Sequence, residues 1–275
     1  MANYKDIHGT NIETVTSDPS NPVEGQVWYN STDQKLRGNK LTTGGSWSTL
    51  TNLNTARDQV AGAGSTTSAL VFGENFGGET ELWNGSTWTE KNDLNTPRRA
   101  LAGAGASGTA ALAFGGNLAS PSPNAAADVT ENFDGTNWTE VADLNQARSF
   151  PFGTGTNTAA LCFGGSTGAG TNPPITAENE SWNGTCWTEL ADLNTARNAG
   201  GASGTTTSAL AFGGGYPQKN ETESWNGTSW TEVANLNSTR LGLGGSGASN
   251  TEAVAFGGSE PPSTGKTEVW NGTAW

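Results

Sequence analysis

A six-residue string, Trp-Asn-Gly-x-x-Trp, returns as Trp83–Trp88, Trp182–Trp187, Trp225–Trp230 and Trp270–Trp275, and a weaker copy reads Phe133-Asp134-Gly135-Thr136-Asn137-Trp138. Asn-Gly supplies the positive φ angles of a tight turn, and aromatic and Thr flanks favour strands. Each copy therefore predicts a hairpin. Recurrence at a fixed register predicts a repeat architecture, which restricts the fold more than any other feature of the chain.

Two further markers keep that register. After each second Trp come Leu-Asn, two residues and an arginine, at Arg57, Arg98, Arg148, Arg197 and Arg240, spaced 41, 50, 49 and 43 apart. A Gly/Ala-rich run follows, as in Ala61-Gly62-Ala63-Gly64, and then an apolar run ending at Phe72, Phe114, Phe163, Phe212 or Phe256 before Gly, spaced 42, 49, 49 and 44 apart. Each unit reads as four short strands: A at 198–204, B at Ser208–Phe212, C at 221–225 and D at Trp230–Val233 in the fourth unit. Four antiparallel strands per repeat of this length make a propeller blade. The small residues of strand A let backbones approach where blades converge.

The markers count five blades, so the expected fold is an all-β, five-bladed propeller over residues 46–275, preceded by an N-terminal arm at 1–40. Residues 47–53, Trp-Ser-Thr-Leu-Thr-Asn-Leu, read as a strand D without a blade, and the last blade stops at Trp275, where strand D begins. The N-terminal strand is thus expected to close the ring against residues 240–271, with Trp47 and Trp275 meeting at one position. A swapped closure between subunits, hence a homo-oligomer, satisfies the same pattern.

Only 33% of the chain is hydrophobic, but 11 residues are Trp, and each Trp buries ~150–250 Å². Periodic anchors of that size contradict disorder. A net charge of −13 repels a phosphate backbone, so no nucleic-acid partner is expected. No apolar run approaches the ~18 residues of a membrane span, so no insertion is expected. The start, Met1-Ala2-Asn3-Tyr4-Lys5-Asp6, lacks the apolar core of a signal peptide. Two cysteines, Cys162 before a strand-B Phe and Cys186 in a hairpin turn, sit at opposite ends of a blade and are expected to be free thiols.

The order Arg, Phe-Gly-Gly, aromatic, Trp over residues 46–275 resembles the kelch-type propeller and the central propeller of galactose oxidase. The chain departs from that pattern in its Asn-Gly turn and in having fewer blades. Upstream, the segment Asp18-Pro19-Ser20-Asn21-Pro22-Val23-Glu24-Gly25-Gln26-Val27-Trp28-Tyr29-Asn30-Ser31-Thr32 resembles a short module of structural and fibre proteins of tailed bacteriophages. Within it, Gln26–Asn30 and Lys35–Arg37 suggest a small hairpin.

Little in the chain suggests catalysis. The one histidine, His8, lies in the arm, too little for a metal site or a Ser–His–Asp arrangement. The copper site implied by the galactose oxidase resemblance has no His or Tyr residues to build it. No cofactor and no metal are expected. Glu90, Glu140, Glu189 and Glu232 occupy one repeated position, as expected of a group serving the fold. The five arginines are either structural, bonded to backbone or to a repeated acid, or a cationic ring at a channel mouth able to hold an anion. The B–C loops vary in length while the D–A loops are uniform, the pattern of recognition on a rigid scaffold. Candidate ligand-binding residues are therefore Phe76 and Tyr216 on the B–C face, with Arg57, Arg98, Arg148, Arg197 and Arg240. The resemblances imply a non-enzymatic virion protein, docked to other virion proteins through residues 1–40 and offering its propeller to a host-surface glycan or receptor. The alternative is a free lectin-like or protein-binding propeller with no viral role.

Overall fold

Each Asn-Gly turn closes on its own asparagine. The Asn84, Asn183, Asn226 and Asn271 side-chain oxygens accept the backbone N–H groups two and three residues on, and Gly85, Gly184, Gly227 and Gly272 hold φ of 91–94°. Asp134 does the same work in the variant copy, and those N–H groups hold its carboxyl below the usual range. The two aromatic residues of each hairpin are thereby set side by side, with ring centroids 5.0–5.5 Å apart.

The computed structural model describes residues 13–17, 27–38, 47–74, 77–118, 125–168, 174–260 and 263–275. It divides into two compact units, Met1–Thr49 and Leu50–Trp275. In the first, β1 (Glu13–Val15) pairs parallel with β2 (Val27–Asn30), which pairs antiparallel with β3 (Lys35–Gly38). The hairpin expected there is present as β2–β3.

The second unit is a β-propeller arrangement of five blades. Blade 1 is β4 (Ala61–Ser65), β5 (Ser68–Phe72), β6 (Thr80–Trp83) and β7 (Trp88–Lys91). Blade 2 opens with the short β8 (Arg98–Arg99), followed by β9 (Ala102–Ser107), β10 (Ala110–Phe114), the short β11 (Asn117–Leu118), β12 (Thr130–Phe133) and β13 (Trp138–Glu140). Blade 3 is β14 (Phe152–Thr156), β15 (Ala159–Phe163), β16 (Asn179–Trp182) and β17 (Trp187–Leu190). Blade 4 is β18 (Gly201–Thr205), β19 (Ser208–Phe212), β20 (Thr222–Trp225) and β21 (Trp230–Val233), and blade 5 is β22 (Gly244–Ser249), β23 (Glu252–Phe256) and β24 (Thr267–Trp270). Within each blade sheet the strands follow chain order, antiparallel throughout, as β9-β10-β12-β13 in blade 2, while β8 and β11 pair with each other as a separate two-stranded sheet. The described residues contain no helix.

Blades join through aromatic residues. The strand-D Trp of one blade packs on the strand-B Phe of the blade before it: Trp138 on Phe72, Trp187 on Phe114, Trp230 on Phe163 and Trp275 on Phe212, at 4.8–5.0 Å. The indole N–H of Trp138, Trp187 and Trp275 donates at 3.0 Å to the hydroxyl of Thr80, Thr130 and Thr222 of that preceding blade. Strand A is glycine-rich because the same Phe lies against it. A Cβ on Gly103 would stand 2.7 Å from the Phe72 ring, and one on Gly153 2.8 Å from the Phe114 ring. The backbone of the neighbouring inner strand stands equally close, Gly62 O at 2.7 Å from such a Cβ on Gly103 and Ala202 O at 2.6 Å from one on Gly245, so the aromatic edge and the converging strands together select the small residue.

The expected closing strand is corrected. The last sheet, β22-β23-β24, has three strands among the described residues. Trp275 itself fills the pocket on Phe212, with its indole on Thr222, so that position is taken. Residues 50–53 form no strand and engage blade 1: Thr51 donates its hydroxyl to Ser86 O, and its carbonyl accepts the Trp88 indole N–H, both at 3.2 Å.

Both cysteines are free, Cys162 buried and Cys186 exposed. Burial pushes the Cys162 thiol up to about 12, so it stays protonated and unreactive at neutral pH. Titration of the native chain with a thiol reagent is expected to report one fast thiol, and two after denaturation. Two fast thiols in the native chain would show that the blade 2–blade 3 core opens readily.

Candidate functional site

The repeated Leu-Asn-x-x-Arg motif builds a carboxylate cradle. In blade 2, Glu131 of β12 accepts the backbone N–H of Asn95 at 2.7 Å, the Asn95 amide at 2.9 Å, and the Arg98 guanidinium at 2.5 Å. Arg98 also donates to Gly115 O and Ala113 O. Burial lowers the Arg98 pKa, and the adjacent Glu131 works against that. The same pair recurs as Arg57–Glu81, Arg148–Glu180, Arg197–Glu223 and Arg240–Glu268 at 2.5–2.6 Å, with every arginine side chain 0% exposed. The asparagine amide reaches on to the carbonyl of the strand-D Trp, as Asn95 to Trp138 O and Asn145 to Trp187 O. Each D–A loop is thereby fastened across strands C and D of the blade it enters.

Arg57, Arg98, Arg148, Arg197 and Arg240 are therefore withdrawn from solvent and bonded, which corrects the cationic-ring reading. Their guanidinium N–H groups are directed at carboxylate and carbonyl oxygens of the framework. The acids that hold them lie in strand C. Glu90, Glu140, Glu189 and Glu232, the repeated acids of strand D, stand directly across from those cradle acids and are exposed. The cradle acids were legible all the same. Glu81, Glu131, Glu180, Glu223 and Glu268 each stand two residues before the first aromatic residue of their hairpin.

The B–C loops and D–A loops do share one face. β8 pairs with β11, Ser149 bridges to Ser166 and Leu241 to Ser259, and the Gly215 N–H donates to Asn198 O at 2.7 Å. Neighbouring blades are cross-linked there by Asn198 Nδ2 to Ser166 Oγ at 2.7 Å and Gln218 Nε2 to Ser259 O at 3.2 Å. On this face Tyr216 is 74% exposed. In the B–C loop of blade 2, Asn117 is buried, and its Oδ1 has no hydrogen-bond partner among the described residues. Phe76 lies outside the described residues. Beside it in sequence, the Glu74 carboxyl is raised above its usual range by burial and by the neighbouring Glu79. No three of the described His, Cys, Asp or Glu residues gather to hold a metal ion, and no helix among them is long and apolar enough to cross a membrane.

No protein-family model matches the chain, and no curated relative matches it. Its fold is similar to a solved one, titled "Structure of YjhT", with a TM-score of 0.62 and 12% identity, covering 76% of this chain and 74% of that one. At that identity the likeness is one of fold alone.

Proposed function

We propose that the chain is a non-enzymatic virion protein that presents the B–C face of its propeller to a host-surface glycan or receptor, with residues 1–40 docking it to other virion proteins. The observation that carries the binding half is the contrast on that face. The arginine–glutamate clamps repeat unchanged beneath it, while the loops above vary and one of them holds out Tyr216 at 74% exposure. Flat, amphipathic aromatic side chains of this kind serve recognition, one side of the ring apolar and the hydroxyl wet. The docking half is supported by the likeness of Asp18–Thr32 to the bacteriophage module, and the kelch-type pattern is compatible with a loop face used for binding.

A glycan array probed with the purified chain tests this reading. Tyr216→Ala is expected to weaken binding about tenfold, the scale of one aromatic anchor at ~1.4 kcal/mol, with the fold unchanged. An array with no hits, or hits indifferent to the substitution, would move recognition off this face. Deleting residues 1–40 is expected to abolish incorporation into particles. A chain absent from particles that still binds glycan would instead be the free lectin-like propeller.

A further inference from the structure

Five blades in a closed ring share five inter-blade cores, but the described residues form four such cores, between consecutive blades. The inner strands pack in succession as β4, β9, β14, β18 and β22, and β22 does not pack on β4 as the other neighbours do. Glycines report the same gap. Gly103, Gly153 and Gly245 each lie against the Phe ring of the preceding blade, whereas a Cβ on Gly62 would meet only Leu70 O of its own blade, at 3.5 Å. Gly62 and Gly64 are exposed.

A chain of backbone hydrogen bonds stops at the same place. The residue two beyond each arginine has positive φ: Gln59, Ala100, Phe150, Ala199 and Gly242, at 51–63°. The last four donate their N–H to the carbonyl of their predecessor, Ala100 to Gln59 at 2.9 Å, Phe150 to Ala100 at 2.7 Å, Ala199 to Phe150 at 3.0 Å and Gly242 to Ala199 at 2.6 Å. No such bond joins the Gln59 N–H to the Gly242 carbonyl. Trp88, finding no threonine of a preceding blade, places its indole N–H on Thr51 O.

We propose that the faces of blades 1 and 5 receive one further repeat of this same kind: a β-unit with a Gly/Ala inner strand, a Phe-Gly-Gly turn and a strand-C threonine. The two faces are the halves of an interface the chain builds four times, so the occupant's chemistry is specified. Its post-arginine residue accepts the Gln59 N–H and donates to Gly242 O, its Phe covers Gly62, and its threonine hydroxyl takes the Trp88 indole. The fourth strand of that repeat is already written. Trp47 stands ten residues before Arg57, the spacing of Trp88 to Arg98 and Trp230 to Arg240, so the added unit supplies strands A to C. An intact second copy does not fit, because with its first blade in the gap its second would fall on the first blade of the host.

The test extends the chain beyond Trp275 with a copy of residues 231–270. The extension is expected to raise Tm by about 5–10 °C and to slow amide exchange in β4 and β22. Gly62→Leu is expected to remove both gains while leaving the unextended chain as it was. A second variant, Phe256→Ala in the appended copy only, leaves the five blades untouched and is expected to lose the same gains. Unchanged Tm and exchange on extension, or gains that survive both variants, would overturn the proposal. So would an unextended chain that runs as a dimer dissolved by Gly62→Leu, which would give the gap to a second copy.

Discussion

Arg148→Met is expected to destabilise the propeller by about 3–5 kcal/mol, the cost of stranding a buried carboxylate. Arg148 is 0% exposed and holds Glu180 at 2.5 Å and Glu178 at 3.2 Å. It also donates to Glu178 O and Gly164 O. Removing the guanidinium leaves Glu180 buried with only the Asn145 N–H and amide, each at 2.8 Å, to answer its charge. Urea titration at neutral pH measures the loss. The double variant Arg148→Met with Glu180→Leu is expected to recover much of it, because no charge is then left unpaired. A single-variant loss below about 1 kcal/mol, the scale of an exposed pair, would mean the clamp adds little to the fold.

Trp187→Ala is expected to cost a similar amount, about 3–5 kcal/mol. The ring packs 5.0 Å from Phe114 and 5.5 Å from Trp182, and its indole N–H satisfies the Thr130 hydroxyl. Truncation opens a cavity between two blades and removes their polar link at once. The control is Trp88→Ala. Trp88 is the same residue of the same hairpin, but it is half-buried, and its indole N–H goes to Thr51 O in place of a strand-C threonine. Its loss is expected to be clearly smaller. Equal losses in the two variants, measured by the same titration, would show that blade 1 is covered in solution.

Blade number, strand order and the hairpin turns were all legible, because each depends on residues close in sequence. Asn226 and Gly227 make their turn with neighbours two and three residues on, and Trp225 meets Trp230 directly across β20 and β21. The candidate site was legible only in outline. Variable B–C loops marked the face and Tyr216 upon it. The role of the arginines was not resolved, because a repeated cation reads alike whether it faces a channel or a buried acid. The partner, Glu131 for Arg98, is 33 residues away, and only the pairing of strands brings it there.

The sequence by itself determined that this chain makes aromatic-pinned, four-stranded β-units, since period, turn chemistry and strand patterning agree within every copy. Only the tertiary structure decided how the arc ends. Trp275 fills the Phe212 pocket, and among the described residues Gly62 has no Phe ring against it of the kind that lies on Gly103 and Gly153. Ring closure depends on the angle summed over successive interfaces, a small rotation at each one that no single repeat records.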